Sequence, residues 1–244
     1  MNVFTKTIMC VALTAAASSA SAAVIKFDAA YGVTNAQAAE ASFLANSYNQ
    51  ETETFDGFAN TGQDDNTDQG SWIQAASTFN TAVGDFTNTA ADSSPNGDEF
   101  FTTSLLIENN ETGEFGRADS YSSQWLDSND ADEVRWDILD GNYNAFGFFL
   151  SDANDQGAAL KLTFNDGTEE TLQLNNPLRD GNLMYITLVS DVLFSGVTLT
   201  FNNGEGNNDG WGIDNVTLAS VPEPATLALL GLGLAGMTTF RRRK

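Results

Sequence analysis

The chain has 244 residues, 41% of them hydrophobic and 17 of them Phe, enough for one domain of ordinary size with a sheet-packed core. Acids outnumber bases 33 to 10 and there is no His, which disfavours nucleic-acid partners and removes His-based triads and the usual zinc ligands. The single cysteine, Cys10, lies near the N-terminus, so everything from Ala23 onward lacks thiols and disulfides and must depend on core size or bound ions for stability.

In chain order, residues 1–22 read as a secretory signal. Lys6 supplies the positive region, Ile8 to Ala17 the apolar stretch and Ala20-Ser21-Ala22 the small-residue cleavage site. Residues 23–51 form an N-terminal segment with one short helix over Asn35–Tyr48, whose buried edge is Phe43 and Leu44. Helical periodicity then disappears. Short apolar runs broken by Asn, Asp and Gly predict strands at Thr52–Phe55, Ser104–Glu108, Val134–Leu139, Ala145–Leu150, Ala159–Phe164, Glu170–Leu174, Met184–Leu188, Val197–Phe201 and Gly212–Leu218. Leu160-Lys161-Leu162-Thr163-Phe164 and Val197-Thr198-Leu199-Thr200-Phe201 alternate strictly, so one face meets a core and the other water. Asn165-Asp166-Gly167-Thr168 reads as a tight primed hairpin turn. The spacing predicts an all-β, antiparallel two-sheet sandwich over residues 52–220.

Between Ala23 and Val221, five basic residues stand against 32 of the acids, a formal net of −27, which gives a self-repelling, cation-attracting surface. Asp64, Asn66 and Asp68 place oxygen ligands at alternate positions, as a calcium loop does. Asp152, in an Asp/Asn run, and Asp214, in the last strand, are further candidate Ca²⁺ ligands. The alternative for these residues is a set of solvated turns, and for Asp214 a bond to neighbouring backbone. Trp72 and Trp125 are candidate glycan-stacking surfaces, whereas Trp136 and Trp211, within strands, belong to the core. Paired carboxylates of a glycosidase are formally available, but acids are too abundant to single out a pair, and the Ser and Thr residues have no activating His. No catalytic residue is assigned.

The last segment, 221–244, has three parts: Val221-Pro222-Glu223-Pro224, an uncharged run from Ala225 to Phe240, and Arg241-Arg242-Arg243-Lys244. The prolines keep Glu223 in an extended segment. The run has sixteen residues, short of the roughly 20 that span a bilayer, and the basic cluster places that end in the cytoplasm. These parts, in this order, resemble a PEP-CTERM sorting signal, with Pro222, Glu223, Pro224, Arg241, Arg242 and Arg243 carrying the likeness. The resemblance implies export by the Sec machinery, transient inner-membrane anchoring through an apolar helix, processing by an exosortase near the triplet, and a Gram-negative cell surface or extracellular matrix. Ala145-Phe146-Gly147-Phe148-Phe149-Leu150-Ser151-Asp152 and Asp209-Gly210-Trp211-Gly212-Ile213-Asp214-Asn215-Val216 in turn resemble the jelly-roll ectodomain of such proteins and, in outline, carbohydrate-binding jelly rolls. The expected role is structural or adhesive, in association with exopolysaccharide or biofilm. The alternatives are a carbohydrate-binding module and a secreted glycoside hydrolase.

Overall fold

The computed structural model describes residues 25–61, 72–90, 103–110, 112, 124–129, 131, 133–139, 141–153, 159–174, 181–200 and 210–222. Its elements are β1 (Ile25–Tyr31), α1 (Val33–Ala45), β2 (Tyr48–Glu53), β3 (Gln74–Ala76), β4 (Thr78–Thr81), β5 (Gly84–Ala90), β6 (Leu105–Asn109), β7 (Gln124–Asp127), β8 (Glu133–Ile138), β9 (Ala145–Ser151), β10 (Ala159–Phe164), β11 (Glu169–Gln173), β12 (Leu183–Ser190), β13 (Phe194–Thr200) and β14 (Gly212–Ser220).

They form two antiparallel sheets. One has eight strands, ordered β1-β12-β9-β14-β7-β6-β3, with β2 also paired to β14; the other has six, ordered β11-β10-β13-β8-β5-β4. Strand β14 shares one edge between two partners, since Gly212 and Ile213 pair with β7 while Val216 to Ser220 pair with β2. From β7 onward the chain alternates between sheets, interrupted only by the β10–β11 hairpin. The expected two-sheet sandwich is therefore present.

The inner faces meet in an aromatic-rich core. Trp136 stacks on Phe86 at 5.3 Å and meets Phe146 edge-on at 5.5 Å; Phe194 lies 5.2 Å from both Phe146 and Phe164. Such pairs add about 0.5–1.5 kcal/mol beyond area burial. The Trp136 indole N–H donates to Val83 O at 3.1 Å, so the ring is buried without losing a polar partner. Trp136 and Trp211 are core residues, 1% and 0% exposed.

The outer face of the eight-stranded sheet is covered as well. Helix α1 packs Ala36 and Phe43 against Ala145, Phe149, Leu183, Tyr185 and Ala219, forming a second apolar layer. All seven residues of β9 are buried as a result. The even residues Phe146, Phe148 and Leu150 join the main core, while Ala145 and Phe149 sit under the helix. Gly147 lies between the last two because a Cβ there would collide with the Tyr185 hydroxyl.

Three expectations need correction. Residues 23–51 were expected outside the sandwich, yet β1 pairs with β12 along its whole length and β2 pairs with β14. Ile25, Phe27, Ala29 and Tyr31 pack on the core while Lys26 and Asp28 point out, a period-2 pattern that adjoins the expected signal at residues 1–22 and is easily absorbed into it. Thr52–Phe55 was read as a strand, but β2 ends at Glu53 and Phe55 adopts φ 58 with its ring fully buried. The hairpin turn is not primed. Only Gly167 has a positive φ (81°), and its N–H donates to Phe164 O at 2.9 Å, the pattern of a type I turn followed by a glycine bulge. The Asp166 carboxylate takes the Thr168 hydroxyl (2.7 Å) and N–H (2.9 Å), which hold it below the usual range.

Candidate functional site at the two poles of the sandwich

Strand register defines two poles. Ile25 pairs with Ser190, Val189 with Ala145, and Ala145 with Ala219. The start of β1, the end of β12, the start of β9 and the end of β14 therefore share one end of the sheet. This is the tail pole, because the chain continues from it into the sorting segment. The opposite, loop pole gathers the end of β7, the end of β9 and the starts of β12 and β14, since Gly212 pairs with both Asp127 and Ser151, and Leu183 with Ser151.

At the tail pole Asn144 secures the chain exit. Its Oδ1 accepts the Val221 N–H at 2.8 Å, its Nδ2 donates to Val221 O at 3.1 Å, and its own carbonyl accepts the Ser190 N–H at 2.8 Å. One loop residue thus ties β12 and β9 to the chain as it leaves β14. Beside it, Lys26, Asp28, Ser42, Phe43, Asn46, Val189 and Val221 line an open groove of ≈ 260 Å³ between α1 and the sheet. Pro222 is exposed. Glu223, Pro224, Arg241, Arg242 and Arg243 lie outside the described residues, as do residues 1–22, expected as a signal, and the expected apolar helix. Among the described residues no helix is long and apolar enough to cross a membrane.

At the loop pole the candidate calcium ligands divide. Asp64, Asn66 and Asp68 lie outside the described residues. Asp152 follows β9 in a left-handed conformation (φ 61), is 1% exposed, and accepts the Gly181 N–H on Oδ1 at 2.6 Å. Asp214 is 2% exposed, and its Oδ1 accepts the Asn215 N–H at 2.6 Å. Asp127 likewise accepts the Asn129 N–H at 2.6 Å. Asp127 and Asp214 each hold backbone one or two residues further on, whereas Asp152 ties the end of β9 to Gly181, just before β12. No group of three or more acidic or sulfur ligands converges on a metal-sized site among the described residues.

The Asp214-Asn215 pair forms a bulge. Asn215 has φ 47 and the pairing with β9 shifts between Asp214 and Thr217. The bulge sends the Asn215 amide to Glu40 Oε1 on α1 at 2.8 Å, tying the helix to the sheet. Burial holds the Glu40 carboxyl above its ordinary range, against the lowering effect of that hydrogen bond. Burial, and then the Glu40 charge, push the Tyr185 hydroxyl up.

The two candidate stacking residues are corrected. Trp72 and Trp125 are 7% and 3% exposed, so neither offers a flat surface to solvent. Trp125 sits in β7 between Glu108 on β6 and the start of β14, and closes over Gly212, where a Cβ would come within 3.1 Å of its ring. Both indoles adjoin an apolar neighbour in chain, Ile73 or Leu126, that faces the core. In β7 that adjacency turns Trp125 to the opposite face of the sheet from Leu126, so its burial depends on what covers that face. For Asn144 and Glu40 the sequence holds no signal, since each works through partners distant in the chain.

The fold is a two-sheet β-sandwich whose last strand, β14, ends at Ser220. Residues 220–244 match the PEP-CTERM protein-sorting motif, which marks an exported protein anchored at its C-terminus before exosortase cleavage. No curated protein sequence matches the chain significantly. Among solved structures, the chain is similar to a family 29 carbohydrate-binding module at 12% identity over 71% of this chain and 94% of that one (TM-score 0.30). It is also similar to another family 29 module, from Piromyces equi, at 9% identity over 84% and 98% (TM-score 0.28). A third similarity is to the carbohydrate-binding and INT domains of Clostridium perfringens ZmpB, at 11% identity over 62% and 30% (TM-score 0.25).

Proposed function

We propose that this chain is a non-catalytic surface or matrix protein, exported by the Sec route and released or attached through exosortase processing at Pro222-Glu223-Pro224. In this reading the sandwich plays a structural or adhesive role beside exopolysaccharide. The observation that carries it is the continuity of fold and motif: β14 ends at Ser220, Asn144 fixes Val221, and the matched motif spans the same point. A folded body that stops where the motif begins, with Pro222 exposed, allows processing while the sandwich stays intact. The strong negative charge keeps such a protein soluble and self-repelling until cations or a partner bring copies together.

The test is to replace Pro222, Glu223 and Pro224 together by Ala in the full chain and follow it in cells with an exosortase. Retention in the membrane fraction, with surface or medium protein lost, supports the reading. Unchanged delivery removes it.

Calcium at Asp152 and at Asp64, Asn66 and Asp68 belongs to the same proposal. A saturable rise in Tm of several degrees in calcium over chelator supports it. A shift no larger than matched magnesium gives would remove the calcium reading and leave Asp152 as a backbone tie.

A further inference from the structure

Among the described residues the exposed large apolar side chains are Val33, Tyr48, Leu139 and Leu193, at 55%, 56%, 48% and 40%. Three of them stand at the tail pole. Tyr48 opens β2 opposite Ser220. Leu139 follows β8 and Leu193 precedes β13, two strands paired through Gly196 and Asp137. Val33 is at the loop pole, one residue after Gly32, whose N–H donates to Leu183 O.

The exposure is not fraying. The Gly141 N–H donates to Leu139 O at 2.9 Å and the Asn165 N–H to Leu193 O at 3.0 Å, while Asn165 Nδ2 donates to Gly141 O at 2.8 Å. Tyr143 Oη donates to Glu51 Oε2 at 3.0 Å and so joins this loop to β2. Leu139 and Leu193 are displayed on a hydrogen-bonded platform, and Tyr48 stands on β2, the strand that Tyr143 joins to it.

The chain itself says what faces that platform. Val221 is fixed by Asn144, and the uncharged run begins four residues later at Ala225. Four extended residues span at most about 14 Å. While the tail is inserted, the pole is therefore confined close to the bilayer.

We propose that, before processing, the tail pole rests on the lipid surface, with Leu139, Leu193 and Tyr48 entering the headgroup region. This rests on the membrane-anchored state of the sorting reading. Leu gains apolar burial there and Tyr suits the interface. The short tether raises the local concentration toward the millimolar range, so a contact too weak for the free sandwich is populated. Lys26, exposed at the start of β1, suits lipid phosphate. Asp166 and Asp191, exposed at the same pole, oppose anionic lipid, so zwitterionic bilayers hold the pole better.

The experiment uses the full chain carrying Cys10→Ser, with an environment-sensitive fluorophore on Leu139→Cys, Leu193→Cys or Val33→Cys, reconstituted in phosphatidylcholine vesicles. Co-flotation with vesicles that is lost when residues 225–244 are deleted reports tail insertion, independently of pole contact and of the apolar stretch at residues 8–17. With flotation intact, quenching by bromolipid is expected to be several-fold greater at positions 139 and 193 than at 33, and to fall when phosphatidylglycerol is added. Equal quenching at the three positions in floated protein would overturn the inference and assign the leucines to a protein partner. Loss of flotation would instead overturn the anchored state on which it rests.

Discussion

The two sheets are built from similar residues but meet different surroundings. The six-stranded sheet has one core face and one wet face: in β8, Val134, Trp136 and Ile138 are buried while Arg135 is exposed. The centre of the eight-stranded sheet is covered on both faces, by the core and by α1, so β9, β12 and β14 are almost wholly buried. The difference shows how one short helix with little amphipathic character converts a half-wet sheet into an internal layer. It does so by supplying Ala36 and Phe43 to a floor already made of Phe149, Leu183 and Tyr185.

The largest effect is expected where the sheets share a core. Trp136→Ala removes a ring packed between Phe86 and Phe146 and should cost about 3–5 kcal/mol in urea unfolding. Thr198→Ala, half-buried on the wet side of the same sheet, should stay within about 0.5 kcal/mol. If the two costs are similar, the wet face is not wet.

A smaller effect tests the covered face. Gly147→Ala drives a methyl into the Tyr185 hydroxyl and should cost about 1–3 kcal/mol. That hydroxyl is buried without a hydrogen-bond partner, so Tyr185→Phe should be neutral or slightly stabilising and should recover part of the Gly147→Ala loss. Additive costs would mean that the helix layer yields and is not closely packed.

The smallest effect concerns the helix tie. Burial raises the Glu40 carboxyl above its ordinary range, so the folded state binds this proton more tightly than the unfolded state. Its contribution to stability is fully present below the ordinary glutamate value and is lost as pH rises through the raised folded value. Glu40→Gln should flatten that slope in Tm measured from about pH 4 to about pH 7, while leaving the hydrogen bond to Asn215 available. An unchanged slope would place the titration elsewhere.

The same contrast explains what the sequence made legible. Strand β10 was read with the bounds it has, because its alternation is clean and one face is wet. Strands β3, β4 and β7 went unread because three or four residues are too few to show a period. Strand β5, Gly84–Ala90, mixes Gly, Asp, Thr and Asn with one buried Phe86 and resembles the loops around it. Trp125 reads as a surface residue when β7 goes unrecognised, and Trp72 lies outside any strand, so neither shows its burial in the sequence. The sorting tail was legible because its parts are contiguous in sequence. The tail pole was not, because Tyr48, Leu139 and Leu193 meet only through strand register.

The central claim is that the folded body ends where processing begins, and the most direct measurement is the intact mass of the protein recovered from the surface or medium of exosortase-bearing cells. The account predicts a species that retains the chain through Ser220 and lacks the run from Ala225 through the terminal Arg241-Arg242-Arg243-Lys244 cluster. A recovered protein that keeps that cluster, or one cut inside β14, would contradict it.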